Sequence, residues 1–214
     1  MRLYCLKYDD CMTQSQEANL ASDPRLALAT EAAIARWGLT GTTLERIAAE
    51  AGMSRATIYR RGVTRDQLVA ALTQRAAETF RAAIWPALTA TTPAAQRLRQ
   101  ALEAVCIAAD DHLPLLAGMF LAGGEVFHKP GPDALQVDLF AEPFERILAD
   151  GTADGTLRDV PAAITATVLF NTVGWGYIHL RASHHWDPAV ARRHVIDLAL
   201  NGLTTPASEA TNLP

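Results

Sequence analysis

The residues with the clearest chemical character lie in one short stretch, residues 47–61, with the sequence IAAEAGMSRATIYRR. It holds three arginines, Arg55, Arg60 and Arg61, together with three hydroxyl side chains. An arginine can donate two hydrogen bonds to one guanine edge, and a threonine can donate to a base or touch a thymine methyl group. Hydroxyl groups also suit phosphate oxygens. The stretch therefore has the side chains of a nucleic-acid contact.

The positive charge is local to this part of the chain. Overall the sequence has 19 basic and 23 acidic residues, for a net charge of −4. From residue 24 to residue 70, however, seven arginines stand against four acidic residues. Attraction to polyanions therefore cannot be a property of the whole molecule and must be confined to this segment.

The spacing within the stretch predicts two short helices joined by a tight turn. Ala48 is small where the second helix would cross the first, and Gly52 can take the left-handed conformation that the turn needs. Ser54 can cap the second helix. The apolar positions that would pack the two helices together are Ile47, Ala51, Met53 and Ile58. This pattern predicts a helix-turn-helix whose second helix can enter a major groove; an ordinary helical hairpin with solvated arginines is the alternative.

Flanking signals define the helices that position this pair. Pro24 suits a first helical turn, and Gly38 ends the run that follows it. Thr42 with Glu45, and Thr64 with Gln67, both match the capping-box pattern. The second box opens a longer helix, which we expect Pro86 to kink or end.

The remainder of the chain shows only helical periodicity, so the predicted fold class is all-α. Helices are predicted after Pro93, over the apolar LPLLAGMFLAGG, from an Asp133 cap, after Pro161, and from Pro188 to Gly202. The segment ADGTADGTLRD, from Ala149, is predicted as a loop.

Around the predicted helix-turn-helix the sequence resembles the tetracycline-repressor (TetR-type) family of bacterial transcriptional regulators. The resemblance is specific over residues 25–68, which include ARWGLTGTTLERIAAEAGMSRATIYRRGVTRDQL, and looser to about residue 203. It implies that Thr42 and Thr43 open a phosphate-contacting helix and that residues 54–60 form the recognition helix. The implied DNA-binding residues are Thr42, Thr43, Ser54, Arg55, Ala56, Thr57, Tyr59, Arg60, Arg61 and Arg65.

Two positions depart from the family pattern. Gly62 stands where an aromatic residue is usual, and Arg65 stands where lysine is usual. The change at Arg65 keeps the charge. The change at Gly62 removes a packing residue, unless Val63 fills the space or the turn itself requires a glycine.

The predicted organisation is an N-terminal arm (1–23), a three-helix DNA-binding domain (24–70), a helical ligand-binding and dimerisation domain (71–205) and a tail (206–214). A homodimer through the last two helices would cover the surplus of apolar side chains on them, although plain core packing would give the same periodicity. Those side chains are Val168, Val173 and Tyr177 on the first helix and Val190, Leu198 and Leu203 on the second.

The resemblance also implies a cavity for a small-molecule effector among the large side chains of the middle helices, with a leaning toward apolar or aromatic compounds. Most of these side chains also fit a plain core. The candidates are Phe80, Ile84, Trp85, Met119, Phe120, Phe127, His128, Phe140, Phe144, Phe170, Asn171 and Trp175.

The sequence gives no support for other chemistry. Six histidines and three cysteines lack metal-ligand spacing, and no nucleophile elbow, phosphate loop or dinucleotide fingerprint is present. We therefore expect no metal, no cofactor and no enzyme activity. We expect a cytoplasmic location without a membrane span, since the apolar window from Ala162 contains Asn171 and His179.

The sequence thus predicts a dimeric regulator that binds double-stranded operator DNA, more readily a repressor than an activator, released by its effector. The alternative is a ligand-binding or interaction protein whose DNA-binding unit is weakened, which the departure at Gly62 motivates.

Overall fold

The computed structural model describes residues 23–122 and 138–202, and these residues form helices and no strand. The all-α fold class is therefore confirmed. The α-helices are α1 (Pro24–Gly41), α2 (Leu44–Glu50), α3 (Arg55–Arg60), α4 (Arg65–Thr89), α5 (Ala94–Asp111), α6 (Leu113–Leu121), α7 (Asp138–Asp154), α8 (Ala162–Phe170), α9 (Gly176–Ala182) and α10 (Pro188–Asn201). A π-helical segment, Asn171–Trp175, joins α8 to α9.

The chain divides into two compact units. Of the described residues, the first comprises 23–82 and 108–122, and the second comprises 83–107 and 138–202. The first unit thus contains α1 to α3, most of α4, the end of α5, and α6. The domain boundaries drawn from the sequence stay predictions, and the arm up to residue 22 and the tail lie outside the described residues.

Helix α1 begins and breaks where the sequence predicts. The Asp23 carboxylate accepts a hydrogen bond from the Arg25 amide at 2.9 Å, which caps the helix ahead of Pro24. Gly38 has φ +72° and interrupts the helix before the turn that ends at Gly41. A glycine takes this conformation without the steric penalty of a side chain.

The cap of α2 lies one residue later than predicted. Thr43, not Thr42, is the N-cap, and its hydroxyl oxygen accepts a hydrogen bond from the Arg46 amide at 3.3 Å. The Thr42 hydroxyl instead donates to the Gly38 carbonyl at 2.8 Å, and only 2% of the residue is exposed. The Thr42 side chain thus bonds back to the kink at Gly38, while Thr43 caps α2.

Two apolar clusters hold the first unit together. The N-terminal cluster joins α1, α2, α3 and the start of α4, and the α6 cluster joins α1 and α4 to α6. The N-terminal cluster consists of Leu26, Ala29, Ala33, Ile47, Ala48, Ala51, Ile58, Val63 and Leu68. The α6 cluster consists of Ile34, Leu39, Leu72, Leu115 and Met119. The positions predicted to pack α2 against α3 belong to the N-terminal cluster, with Met53 partly buried against it.

The predicted capping box at the start of α4 is confirmed. The Thr64 amide donates to the Gln67 side-chain oxygen at 2.9 Å, and the Gln67 amide donates to the Thr64 hydroxyl oxygen at 3.2 Å. Pro86 does not end α4, which continues to Thr89.

The second unit packs α7 against α8, and α10 against both α9 and the π-helical segment. Helix α7 continues to Asp154, so the loop predicted from Ala149 is wrong at its start; the proposed Asp133 cap lies outside the described residues. The Asp154 carboxylate accepts a hydrogen bond from the Ala94 amide at 2.9 Å, which caps α5. A hydrogen bond from the Thr156 hydroxyl is the main cause of the lowered pKa of Asp154.

The last two predicted helices begin after Pro161 and at Pro188, and Gly202 ends the final one with φ +65°. The first of them is interrupted by the π-helical segment, which sequence periodicity did not indicate. Val173 and Tyr177 are fully buried within the second unit. These two side chains are therefore core and do not belong to the exposed apolar surface that the sequence suggested, and Leu203 lies outside the described residues.

No single helix in the described residues is long and apolar enough to cross a membrane. One bent pair, α5 with α6, meets the criteria of length and composition only.

Gly62 has φ +70°, and a Cβ built there would meet no atom within 4 Å. The position is therefore open but conformationally demanding, and Val63 beside it is buried in the N-terminal cluster. We expect Gly62→Ala to lower the free energy of unfolding by about 1–2 kcal/mol, because the left-handed conformation disfavours a side chain. Thermal or urea unfolding measures this change.

Gly176→Ala is the matched control. Gly176 is also open to a Cβ, but its backbone is right-handed helical with φ −59°. This change should be neutral or stabilising by roughly 0.5 kcal/mol. Equal effects at the two glycines would contradict the conformational role of Gly62.

Candidate nucleic-acid interface

The turn between α2 and α3 has the geometry of a helix-turn-helix. Gly52 has φ +62°, and the Met53 amide donates to the Ala48 carbonyl at 2.8 Å. The Ser54 hydroxyl oxygen accepts from the Thr57 amide at 3.1 Å and caps α3. Ile58 is the one buried residue of α3, so the rest of this helix faces outward or sideways.

The structure brings most of the predicted DNA-binding residues onto this outer surface. Thr57 is half-buried, and its hydroxyl lies 2.8 Å from that of Ser54. Thr43 stands at the start of α2. The exposed members of the set are Thr43, Ser54, Arg55, Ala56, Tyr59 and Arg60.

Glu45 on α2 forms a carboxylate clamp that holds two of these side chains. Its Oε1 accepts hydrogen bonds from the Tyr59 hydroxyl at 2.6 Å and from the Arg55 guanidinium at 3.0 Å. These bonds, with that from Tyr59 first, lower the pKa of Glu45 to about 2. The same carboxylate raises the pKa values of Tyr59 and Arg55. All three groups are solvent-accessible.

Three other predicted contacts have structural partners instead. Arg65 donates to the carbonyls of Leu39 at 2.7 Å and Thr42 at 3.1 Å, which ties α4 to the end of α1. Arg61 pairs with Asp23 at 3.0 Å. Thr42 is buried, as described above. In this conformation these side chains bond to other parts of the fold; Thr42 is buried, while the Arg61 and Arg65 side chains are 33% and 34% exposed.

The sequence pattern did not indicate Glu45 and Asp23 as partners of the arginines. Glu45 precedes Arg55 by ten positions and Tyr59 by fourteen, so no local spacing rule pairs them. Only the crossing of α2 and α3 brings these residues together. The surplus of arginines over acidic residues was the available signal, and it does not show which arginines are paired.

The predicted effector residues divide between the two units. Phe80 and Met119 are buried in the first, and Ile84 and Phe144 are buried in the second. In the second unit the Phe170 ring stacks on the Phe140 ring with 5.6 Å between their centroids, and its centroid lies 6.2 Å from that of Phe144. Trp175 is partly buried. Exposed members are Trp85, Phe120 and Asn171, while Phe127 and His128 lie outside the described residues.

No group of three or more potential metal ligands occurs within residues 23–122 and 138–202. Cys106 is a buried thiol.

These features define an all-helical protein with a helix-turn-helix near its N-terminus. Residues 27–72 match the family model described as bacterial regulatory proteins, tetR family. This segment belongs to the tetR family, and the resemblance found in the sequence is confirmed.

Solved structures share the fold over most of the chain. The TetR family transcriptional regulator PfmR from Thermus thermophilus is 22% identical, with 86% of this chain and 100% of that chain covered and a TM-score of 0.70. A putative fatty acid metabolism regulator of Clostridium perfringens is 13% identical, with coverages of 85% and 100% and a TM-score of 0.66.

FadR from Bacillus subtilis, solved in complex with stearoyl-CoA, is 17% identical, with coverages of 84% and 98% and a TM-score of 0.65. A search of curated proteins finds no match. The chain thus has the fold of tetR-family transcriptional regulators.

The carboxylate clamp generates a direct prediction. Glu45 should titrate near pH 2 instead of near its ordinary 4.5, so its interactions contribute stability above about pH 4.5 that is lost as the pH falls through about 2. Tyr59→Phe removes the leading hydrogen bond and should raise the pKa of Glu45 part of the way back. Carboxylate NMR over a pH series measures both values.

Arg60→Ala is the control, because the hydrogen bonds to Glu45 come from Arg55 and Tyr59. It removes a nearby cation and should leave the Glu45 titration almost unchanged. An ordinary pKa for Glu45 in the unmodified protein would show that the clamp does not form in solution.

Proposed function

We propose that this protein is a dimeric, ligand-responsive transcriptional regulator that represses by binding operator DNA through α3. The observation that carries the proposal is the exposed polar surface of α3 on a glycine-hinged helix pair within a tetR-family segment. A helix of this kind fits the major groove of B-DNA, where its outward side chains meet base edges.

The exposed residues divide by chemistry. Arg55 and Thr57 lie on the first turns of α3, where side chains of a recognition helix contact bases. Thr43, Tyr59 and Arg60 are exposed around them and suit phosphate contacts. Thr42, Arg61 and Arg65 act by holding α1, α3 and α4 in place.

The carboxylate clamp gives DNA binding a competing state. A phosphate or base that binds Arg55 or Tyr59 must replace Glu45 as acceptor, and the acidic side chain then faces a polyanion. The loss of the bonds to Glu45 is a free-energy cost, and new contacts between Arg55 or Tyr59 and the DNA must offset it. The clamp therefore favours sequences that offer Arg55 a bidentate partner.

Dimerisation through the last two helices is supported by their exposed apolar side chains. Ile164 and Val168 on α8 are 67% and 56% exposed, and Val190 and Leu198 on α10 are 38% and 52% exposed. A second copy that covers this face would remove the side chains from water. A two-fold pair would also present two copies of α3 to a pseudo-palindromic operator.

The effector is proposed to be a small apolar molecule that binds beside Phe140, Phe144 and Phe170 in the second unit. Their rings form one cluster, and Asn171 at the adjoining π-helical segment adds a polar group. π-helical segments are frequent at functional sites. Of the solved structures with the same fold, one is described as a putative fatty acid metabolism regulator and another was solved with stearoyl-CoA. These descriptions favour an acyl chain over an aromatic compound as the effector.

Release from DNA would be a population shift. An effector that binds one arrangement of the dimer more tightly than another changes operator affinity by that difference. Helix α4 is continuous from Arg65 to Thr89 and contributes residues to both units, so it is the proposed connection. Such a regulator would act in the cytoplasm and needs no catalytic group.

The alternative of a weakened DNA-binding unit rested on Gly62. The positive φ of Gly62 and the burial of Val63 now give this departure a structural reason, so nothing in the described residues favours the alternative.

Operator binding tests the proposal most simply. Gel shifts and footprinting on the DNA that flanks its own gene should give a protected, two-fold symmetric site, with affinity that falls steeply as salt rises. Arg55→Ala and Thr57→Ala should each reduce discrimination against random DNA, by about 1–3 kcal/mol for the arginine. Tyr59→Phe and Thr43→Ala should weaken binding similarly on all sequences.

A protein that shows no protected site, or binds with no dependence on salt, would contradict the proposed function. If all four variants bound the operator as the unmodified protein does, the assignment of α3 to the groove would be wrong.

The dimer generates a separate prediction. Leu198→Glu should convert the dimer to a monomer in analytical ultracentrifugation, because a charge would be buried in the apolar contact. Ile107→Glu places the same charge on a side chain of α5 that is 50% exposed, and it should leave the dimer intact. Loss of the dimer in both variants, or in neither, would exclude α10 as the interface.

A further inference from the structure

An open groove of about 310 Å³ lies between one face of α1 and the start of α6 in the first unit. The α1 residues that line it have the spacing i, i+3, i+4 and i+7, so they form one stripe along the helix. They are Leu28, Glu31, Ala32 and Ala35, and α6 adds Pro114 and Leu115. Leu28 is 62% exposed. A segment that covers this stripe would remove an exposed apolar surface from water.

The charge of the groove is negative. The carboxylates of Glu31 and Asp111 line it, and no described lysine or arginine does. Neither carboxylate forms an ion pair with another described residue. An acidic segment would be repelled here, whereas a segment that carries lysine or arginine would be attracted. The groove therefore fits a partner that combines apolar side chains with positive charge.

The first eight residues of this chain, MRLYCLKY, have that combination, and we call them the arm tip. They include Arg2 and Lys7 and no acidic residue, in a chain whose net charge is −4. The large apolar and aromatic side chains among them are Leu3, Tyr4, Leu6 and Tyr8. The arm tip therefore matches both the apolar walls and the charge of the groove.

The length of the arm permits this contact within one molecule. Tyr8 precedes Asp23, the N-cap of α1, by fifteen positions. A flexible chain of this length spans about 20 Å on average and at most about 50 Å. Leu28 and Ala35 lie only about 8 and 18 Å beyond Asp23 along the helix axis. A tether of this length gives an effective concentration of about 1 mM, so even a weak contact would be populated.

We propose that the arm tip docks in this groove of the same molecule. Its large side chains pack on Leu28 and the neighbouring alanines, and its two cations face Glu31 and Asp111. The docked arm tip thereby connects α1 to α6. A second copy is a poorer occupant, because the whole chain is acidic and the apolar side chains proposed to pair two copies lie on α8 and α10. The inference does not depend on DNA binding, on an effector or on dimerisation.

Disulfide trapping in the full-length protein tests the contact. In Cys11→Ser, Cys5 is the one thiol left in the arm, and Cys106 is buried. With Ala32→Cys added, Cys5 should form an intramolecular disulfide with position 32 when oxidised glutathione is the oxidant. Ala70→Cys is the control, because Ala70 is exposed on α4 and does not line the groove. The bond at position 32 should form at least about tenfold faster than the bond at position 70.

Charge reversal tests the pairing of the arm tip with the groove. Arg2→Glu combined with Lys7→Glu should slow the bond at position 32 by roughly tenfold, relative to the bond at position 70 with the same arm. This ratio corrects for any change in the reactivity of Cys5. Adding Glu31→Lys and Asp111→Lys should restore the rate.

Glu78→Lys combined with Glu145→Lys is the matched control for the groove reversal, since both glutamates are exposed and neither lines the groove. This pair should not restore the rate. A spin label on Cys5 in Cys11→Ser measures the contact without a covalent bond. It should broaden the amide signal of Ala32 more than that of Ala70.

Equal disulfide rates at positions 32 and 70, or equal broadening of the two amide signals, would overturn the proposal. So would a groove reversal that does not rescue the arm reversal. A disulfide that forms only between two molecules would also overturn it, and would indicate that the groove receives the arm of a second copy.

Discussion

The geometry of the recognition surface depends on the burial of one side chain, that of Ile58. Helix α3 has six residues, and a helix of this length does not persist in water by itself. Ile58 is fully buried in the N-terminal cluster, where Ile47 and Ala48 of α2 and Val63 also lie. The left-handed glycines on either side, Gly52 and Gly62, let the chain enter and leave this short helix without strain.

Ion pairs and hydrogen bonds within the fold then decide which arginine side chains are available to a binding partner. The segment has a surplus of arginines, but Arg61 and Arg65 are tied to Asp23 and to backbone carbonyls. Arg46 lies over the Trp37 ring at 5.1 Å and donates to the Gly41 carbonyl. On α3 itself the exposed charge rests on Arg55 and Arg60, and Arg55 is held by Glu45. A surface with few exposed charges is better suited to reading a base sequence than to attracting DNA non-specifically through its phosphates.

Sequence reasoning succeeded where a local rule decided the structure. The Ser54 cap, the Thr64–Gln67 capping box and the turn at Gly52 each involve residues within a few positions of one another. It failed at Thr42 and Thr43, because the capping-box pattern favours Thr42, which has Glu45 three residues later, whereas Thr43 is the N-cap in the structure and Thr42 bonds back to Gly38. Of the two outcomes expected at Pro86, a kink or an end of the helix, the structure excludes the end, because α4 continues to Thr89.

The candidate site shows the same division. Exposure of Arg55, Tyr59 and Arg60 followed from placing Ile58 inward, since the helical period fixes the remaining directions. The clamp on Glu45 depends on residues from two different helices. Their pairing is decided by tertiary structure, which the spacing of residues in one sequence does not encode.

The central claim is that α3 enters the DNA groove, and site-specific photo-cross-linking tests it most directly. A photoreactive amino acid at Ala56, an exposed residue of α3, should cross-link to bases inside the protected operator. The same group at Ala153, an exposed residue of α7, should give no DNA cross-link. An operator complex in which position 56 remains unlinked while position 153 reacts would contradict the account.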